Sequence, residues 1–163
     1  MQIKKMTRMA MYASLAVVLS IFESFMPFLD GYTIPGLKLG LANIVVLYVL
    51  YMYSFKEAIC ITLLKVFLVA LCRTGLFSFS FYFSLVGSIL SVMSMALFKK
   101  LNIFSILGVS VVGSFMHSLG QMFVAFFFLD INLLQYVTLI CILCIPTGLL
   151  TGYMSRQLLI NQK

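Results

Sequence analysis

An all-α integral membrane bundle of six transmembrane helices is the fold class this sequence predicts, and three observations predict it. First, 63% of the 163 residues are hydrophobic, only 9% are charged, and the mean hydropathy is +1.16. A soluble domain carries roughly 25% charged residues. A soluble fold near this length also leaves about 30% of its unfolded-chain surface in water, so it could not hide this much apolar surface. Second, the apolar residues fall into six runs, each near the ~20 residues needed to cross the hydrocarbon. Third, the basic residues are distributed very unevenly among the connections between those runs.

The elements follow in order, within one domain covering residues 1–163. Apolar periodicity predicts helices at about 7–26, 37–53, 56–72, 80–98, 104–128 and 133–154. The first run follows Lys4, Lys5 and Arg8 and resembles a signal peptide, but it continues to about Phe25 with no small-residue cleavage site, so it reads as a retained helix. Pro27 and the pairs Asp30-Gly31 and Pro35-Gly36 separate it from the second. Tyr53-Ser54-Phe55 makes a tight connection to the third, which ends at Arg73-Thr74-Gly75. Lys99-Lys100-Leu101-Asn102 divides the fourth from the fifth, and Asp130 with Asn132 the fifth from the sixth. Pro146 falls within the sixth, where it is expected to kink the helix.

Six spans put both termini on one side. Lys4, Lys5, Arg8, Lys56, Lys99, Lys100, Arg156 and Lys163 share that side, whereas only Lys38 and Arg73 lie on the other and Lys65 lies within a helix. Cytoplasmic loops accumulate Lys and Arg, so both termini are expected in the cytoplasm. That rule also accounts for the formal charge of +7 without a nucleic-acid partner.

Polar residues at membrane depth need a reason, because a charge at the bilayer centre costs about 2.5–3.5 kcal/mol on insertion scales. Seven stand out: Glu23, Lys38, Asn43, Lys65, Arg73, His117 and Gln121. At ~1.5 Å per residue, Glu23 lies about 24 Å from the start of the first helix and Asn43 about 10 Å below the outer start of the second. His117 and Gln121 are one turn apart and share a helix face. All seven lie at or outside the midplane, with three cations against one carboxylate. They predict an outward-facing site for a small anionic or polar-headed molecule. Two plainer readings stand beside this one. Lys38 and Arg73 also suit snorkelling to the interface, and Glu23 could pair with Lys65 or Arg73 solely to neutralise charge.

Small residues form stripes that allow close helix approach in lipid: Ser110/Ser114/Ser118, Gly148/Gly152, Ser84/Ser88, Ala10/Ser14 and Ala16/Ser20. Cys141-x-x-Cys144 lies in an apolar run with no second ligand pair, so neither metal nor redox use is expected. No catalytic site is expected either. There is one His, no Gly-rich phosphate loop and no nucleophile elbow. The two aspartates, Asp30 and Asp130, cannot form the carboxylate cluster that Mg²⁺-dependent diphosphate chemistry requires. No cofactor is expected, and any ATP hydrolysis or prenyl transfer would have to come from a partner.

Two stretches carry a resemblance. Phe28 to Asn43 reads FLDGYTIPGLKLGLAN and Gly113 to Ala125 reads GSFMHSLGQMFVA. Together they resemble the bacterial Gx transporter family, also described as heptaprenyl diphosphate synthase component I, and the order of segments agrees over nearly the whole chain. The string from Ile34 to Asn43 is the most specific part, and Ser118 stands where the family usually has Asn. That family is similar in size and topology to the substrate-binding S-components of energy-coupling factor transporters. The resemblance implies a plasma-membrane subunit that captures a vitamin-like or quinone-precursor molecule. It also implies partnership with a transmembrane coupling subunit and two ATPases, docked through small residues on the first helix, here Ala10/Ser14 or Ala16/Ser20. A second implied role is a non-catalytic membrane subunit or anchor in isoprenoid-quinone synthesis. A stand-alone carrier is the third possibility, although such carriers usually show paired repeats or broken helices.

Overall fold

A computed structural model describes residues 2–23, 25, 40–129 and 133–161. Its elements are α1 (Gln2–Glu23), α2 (Asn43–Met52), α3 (Phe55–Val69), α4 (Phe79–Leu101), α5 (Ile106–Leu129) and α6 (Leu133–Ile160), with a π-helical turn, Ala70–Thr74, continuing α3. Among the described residues, three stretches are long and apolar enough to cross a membrane: Ile3–Glu23, Phe79–Leu101 and Ile106–Phe128.

The helix ends follow from local chemistry. The Ser78 hydroxyl accepts the Phe81 N–H at 3.2 Å and so starts α4. Lys99 and Lys100 in the last turn oppose the helix dipole, and Asn102 at φ 53° adopts the left-handed stop. The π-helical turn closes at Gly75, whose φ of 80° suits glycine and whose N–H reaches the Ala70 carbonyl at 2.8 Å. Pro146 sits inside α6 without ending it, and the Thr147 hydroxyl donates to the Leu143 carbonyl at 2.8 Å.

The second helix departs most from expectation. It begins at Asn43 and not near residue 37, and its ten residues rise only about 15 Å. Residues 40–42 are non-helical, with Gly40 at φ 86°, a conformation that keeps the helix from starting before Asn43. Asn43 is therefore the first residue of α2 and does not lie a turn or more inside it. The sixth helix also runs past the expected end at 154 to Ile160.

Every residue from Asn43 to Leu50 is buried, so the short α2 forms the axis of the bundle. Its Val45–Leu50 stretch packs with Ala13 and Ala16 of α1, Ala58 and Ile61 of α3, Val92 and Met95 of α4, and Val109 of α5. Around this axis, α4, α5 and α6 approach closely at small residues. A Cβ on Gly120 would lie 2.7 Å from Gly87 Cα, one on Gly148 2.6 Å from Val111 Cα, and one on Gly152 2.8 Å from Ser110 Cβ. Ser110 and Thr151 share a hydroxyl hydrogen bond of 2.7 Å across α5 and α6. The outer surface is apolar: Met11, Leu15, Val18 and Phe22 on α1 and Phe123, Phe126 and Phe127 on α5 are all exposed. Water would be a poor solvent for a surface of this extent.

Candidate functional site

A run of non-helical backbone inside an apolar bundle needs partners for its N–H and C=O groups, because lipid supplies none. The chain meets this need with a carboxylate. Glu23, the last residue of α1, accepts the Gly40 N–H. It is only 5% exposed, in keeping with the rule that a buried carboxylate requires hydrogen-bond donors. The end of α1 is thereby tied to the entry of α2.

Asn43 lies on the same spot. A Cβ added to Gly40 would sit 2.9 Å from Asn43 Nδ2 and 3.5 Å from His117 Cδ2. The Asn43 amide donates to Ser91 Oγ, near the middle of α4, at 3.4 Å. On α5, His117 Nε2 and Gln121 Nε2 are 3.3 Å apart, a pairing that needs the unprotonated ring nitrogen to accept from the amide. Gly87 of α4 makes room for both. A Cβ there would meet the His117 carbonyl at 2.8 Å and Gln121 Cγ at 3.1 Å. Glu23, Asn43, His117 and Gln121 are each at least 95% buried.

Four sequence-derived candidates therefore converge from α1, α2 and α5. Glu23 and Asn43 meet at Gly40 and its surroundings, Asn43 reaches Ser91, and His117 with Gln121 closes on the space left by Gly40 and Gly87. Lys65 is also buried, near the middle of the run formed by α3 and its π-helical turn, and it is engaged with its surroundings. Arg73 stands apart from the buried group. It is exposed, and its guanidinium carbon lies 4.6 Å from the centroid of the Phe25 ring, two residues beyond Glu23. The contact places it at the rim of the same end of α1. Lys38 lies outside the described residues.

The two small-residue pairs on α1 part company. Ala10 and Ser14 are exposed, and the Ser14 hydroxyl bonds back to the Met11 carbonyl at 2.9 Å. Ala16 and Ser20 are buried inside the bundle, leaving the first pair as the one available to an outside partner. The sixth helix adds a polar contact near the site: the Cys144 thiol donates to Ser118 Oγ at 3.1 Å. Among the described residues, no group of three His, Cys, Asp or Glu side chains is placed to hold a metal ion.

Gly40, Gly87 and Ser91 were not among the residues the sequence singled out as site candidates. Gly40 lies in the Ile34–Asn43 string, and Gly87 precedes Ser91 by one turn on the face adjoining Ser84 and Ser88. Those spacings were the available signals.

A family model described as heptaprenyl diphosphate synthase component I matches residues 12–158, which includes every described site residue. No curated protein and no solved structure matches the chain.

Proposed function

The chain belongs to the heptaprenyl diphosphate synthase component I family, and we propose that it acts as a non-catalytic membrane subunit that binds a small anionic or polar-headed organic molecule. The observation that carries this reading is the convergence of Glu23, Asn43, His117 and Gln121, all buried, around the non-helical residues 40–42. Broken helices in membrane proteins put backbone and side-chain polar groups where a ligand can use them, as in transporters with discontinuous helices. Asn43 and Gln121 would meet carbonyl or acidic groups of the ligand. His117 would hydrogen-bond its ring or head, Lys65 and Arg73 would supply positive charge, Lys38 would join them from the outer side, and Glu23 would hold the chain in register.

In this proposal the bundle crosses the plasma membrane six times with both termini in the cytoplasm. Two further stretches are long enough to join the three long apolar helices, and the short α2 would be the sixth element. The 28 residues of α6 rise about 42 Å, and α3 with its π-helical turn supplies a further near-continuous 20-residue run. The Lys5–Glu57 ion pair also supports a common side for Lys5 and Lys56.

Two forms of the proposal differ in their partners. In the first, an S-component-like subunit captures its molecule from the outer face and docks through Ala10/Ser14 on a coupling subunit with two ATPases. In the second, suggested by the family's description, the subunit accompanies a soluble prenyl synthase that carries the metal-binding aspartates. Purification of the tagged chain from native membranes in mild detergent, followed by mass spectrometry of its companions, separates them. A membrane coupling protein with two ATPases supports the first form, and a prenyl synthase without ATPases supports the second. Recovery of neither with the intact chain overturns the idea of a subunit.

A further inference from the structure

A second feature lies at the lysine-rich end, away from the buried polar centre. A groove of about 700 Å³ opens between the C-terminal ends of α2 and α4 and the turn into α3. Its walls are Leu50, Phe55, Met93, Ala96 and Leu97, and its mouth carries Tyr53, Lys99 and Lys100. Phe55, Met93 and Leu97 are 42%, 53% and 55% exposed, so the apolar wall faces outward.

The charges around the mouth are unbalanced. Lys99 donates to the Leu50 carbonyl at 2.6 Å and lies 4.9 Å from the centroid of the Tyr51 ring, which fixes its ammonium beside the groove. An ammonium has three donors, and this bond uses one. Lys100 is exposed. Glu57, the described carboxylate at this end of the bundle, is already occupied by Lys5 and by the Ser54 hydroxyl. It therefore offers little compensation to the two lysines.

The geometry points to a binding site for an anionic glycerophospholipid of the leaflet at the lysine-rich end. Lys99 and Lys100 form the last turn of α4, one of the helices long and apolar enough to cross a membrane. Met93 lies seven residues further in, about 10 Å along the helix. A lipid with its phosphate at the lysines would thus lay an acyl chain against Leu97 and Met93, parallel to α4. Basic pockets between membrane helices recognise lipid phosphates in this way. A soluble anion would leave the apolar wall unused, and a neutral lipid would leave the lysines unused.

The test uses the full chain in a neutral maltoside detergent, titrated with dioleoyl-phosphatidylglycerol and observed by native mass spectrometry. Dioleoyl-phosphatidylcholine and farnesyl diphosphate serve as competitors. Phosphatidylglycerol should bind with a preference over phosphatidylcholine. Lys100→Glu should weaken it about thirtyfold, the effect of two unit-charge changes near a lipid phosphate. Ala96→Trp, which fills the groove without altering charge, should also reduce binding, whereas Lys4→Glu on α1 should leave it unchanged. Thermal melting of Lys100→Glu should fall by no more than a few degrees, the small cost of reversing an exposed charge at a helix C-terminus. Equal binding of the two phospholipids, an equal loss in Lys4→Glu, or retention of phosphatidylglycerol by both groove variants would overturn the site. Binding of farnesyl diphosphate alone would overturn the assignment to a phospholipid.

Discussion

Replacing Gly120 by Val tests the packing on which the buried polar centre rests. A Cβ at position 120 would lie 2.7 Å from Gly87 Cα and 3.0 Å from Gly87 N, whereas ordinary contact begins at 3.4 Å. Both obstacles are backbone atoms of α4, so no rotamer change relieves the 0.7 Å deficit, and α4 and α5 must separate. Overpacking of this kind costs about 1–3 kcal/mol. Removing a helical glycine returns roughly 0.5–1 kcal/mol. A net loss of about 1 kcal/mol follows, or about 2–4 °C in melting temperature for a chain of this length. Cys144, only 3% exposed, provides the readout. With Cys60, Cys72 and Cys141 changed to Ser, its reaction with a thiol-reactive fluorophore reports unfolding in detergent. Gly108→Val is the comparison, because its new Cβ would meet Phe104, nearest at its Cβ at 2.9 Å, which belongs to the non-helical turn before α5 and not to another helix. If Gly120→Val melts no lower than the parent while Gly108→Val melts well below it, the close approach of α4 and α5 at Gly87 is refuted.

Three further outcomes follow from named contacts. Ser110→Ala and Thr151→Ala each remove the 2.7 Å hydroxyl bond between α5 and α6, and a double-mutant cycle on melting should give a coupling of about 0.5–1.5 kcal/mol. Additive losses would show that the bond contributes nothing. The exposed Lys5–Glu57 pair should contribute no more than about 1 kcal/mol, a contribution that salt reduces, so Glu57→Gln should lower the melting temperature only slightly and less so in high salt. A large salt-independent loss would assign Glu57 a different role. Single cysteines at positions 4 and 76, in a chain without other cysteines, should react with a membrane-impermeant maleimide from opposite sides of sealed vesicles. Labelling from the same side would contradict the proposed course of α1 to α3.

How much of this was legible in the sequence depended on whether local pattern or distant contact decided each element. The fourth and fifth helices were expected at 80–98 and 104–128 and are found at Phe79–Leu101 and Ile106–Leu129. Their long apolar runs and the Lys99–Asn102 stop are local signals. The second helix was misjudged because Leu41, Ala42 and the apolar residues after them continue a helix-like run. Hydropathy cannot register that Gly40 turns to a positive φ and gives its N–H to Glu23, seventeen positions away. Arg73-Thr74-Gly75 marks an end to the third helix, but nothing in Ala70–Thr74 distinguishes a π-helical turn from a continued α-helix.

The same distinction applies to the site. His117 and Gln121 were legible as a pair because one helical turn relates them. Glu23 and Asn43 stood out as polar residues in apolar surroundings, but their proximity to His117 depends on the break at 40–42. Gly87 and Ser91 acquire their importance only when α4 meets α5 and α2. The two stripes on α1 looked equivalent by spacing, and only the packed bundle distinguishes buried Ala16/Ser20 from exposed Ala10/Ser14.

The central claim is that the buried polar centre holds a small molecule. Its most direct test is to purify the tagged chain and an Asn43→Leu/His117→Leu variant in parallel from native membranes, extract each, and compare the retained small molecules by mass spectrometry. Melting measured on both preparations ensures that folded protein is compared. A discrete anionic or polar-headed organic compound is expected, near one equivalent in the unaltered chain and absent from the folded variant. Identical small-molecule content in the two folded preparations would contradict it and leave the polar centre as the fastening of a broken helix.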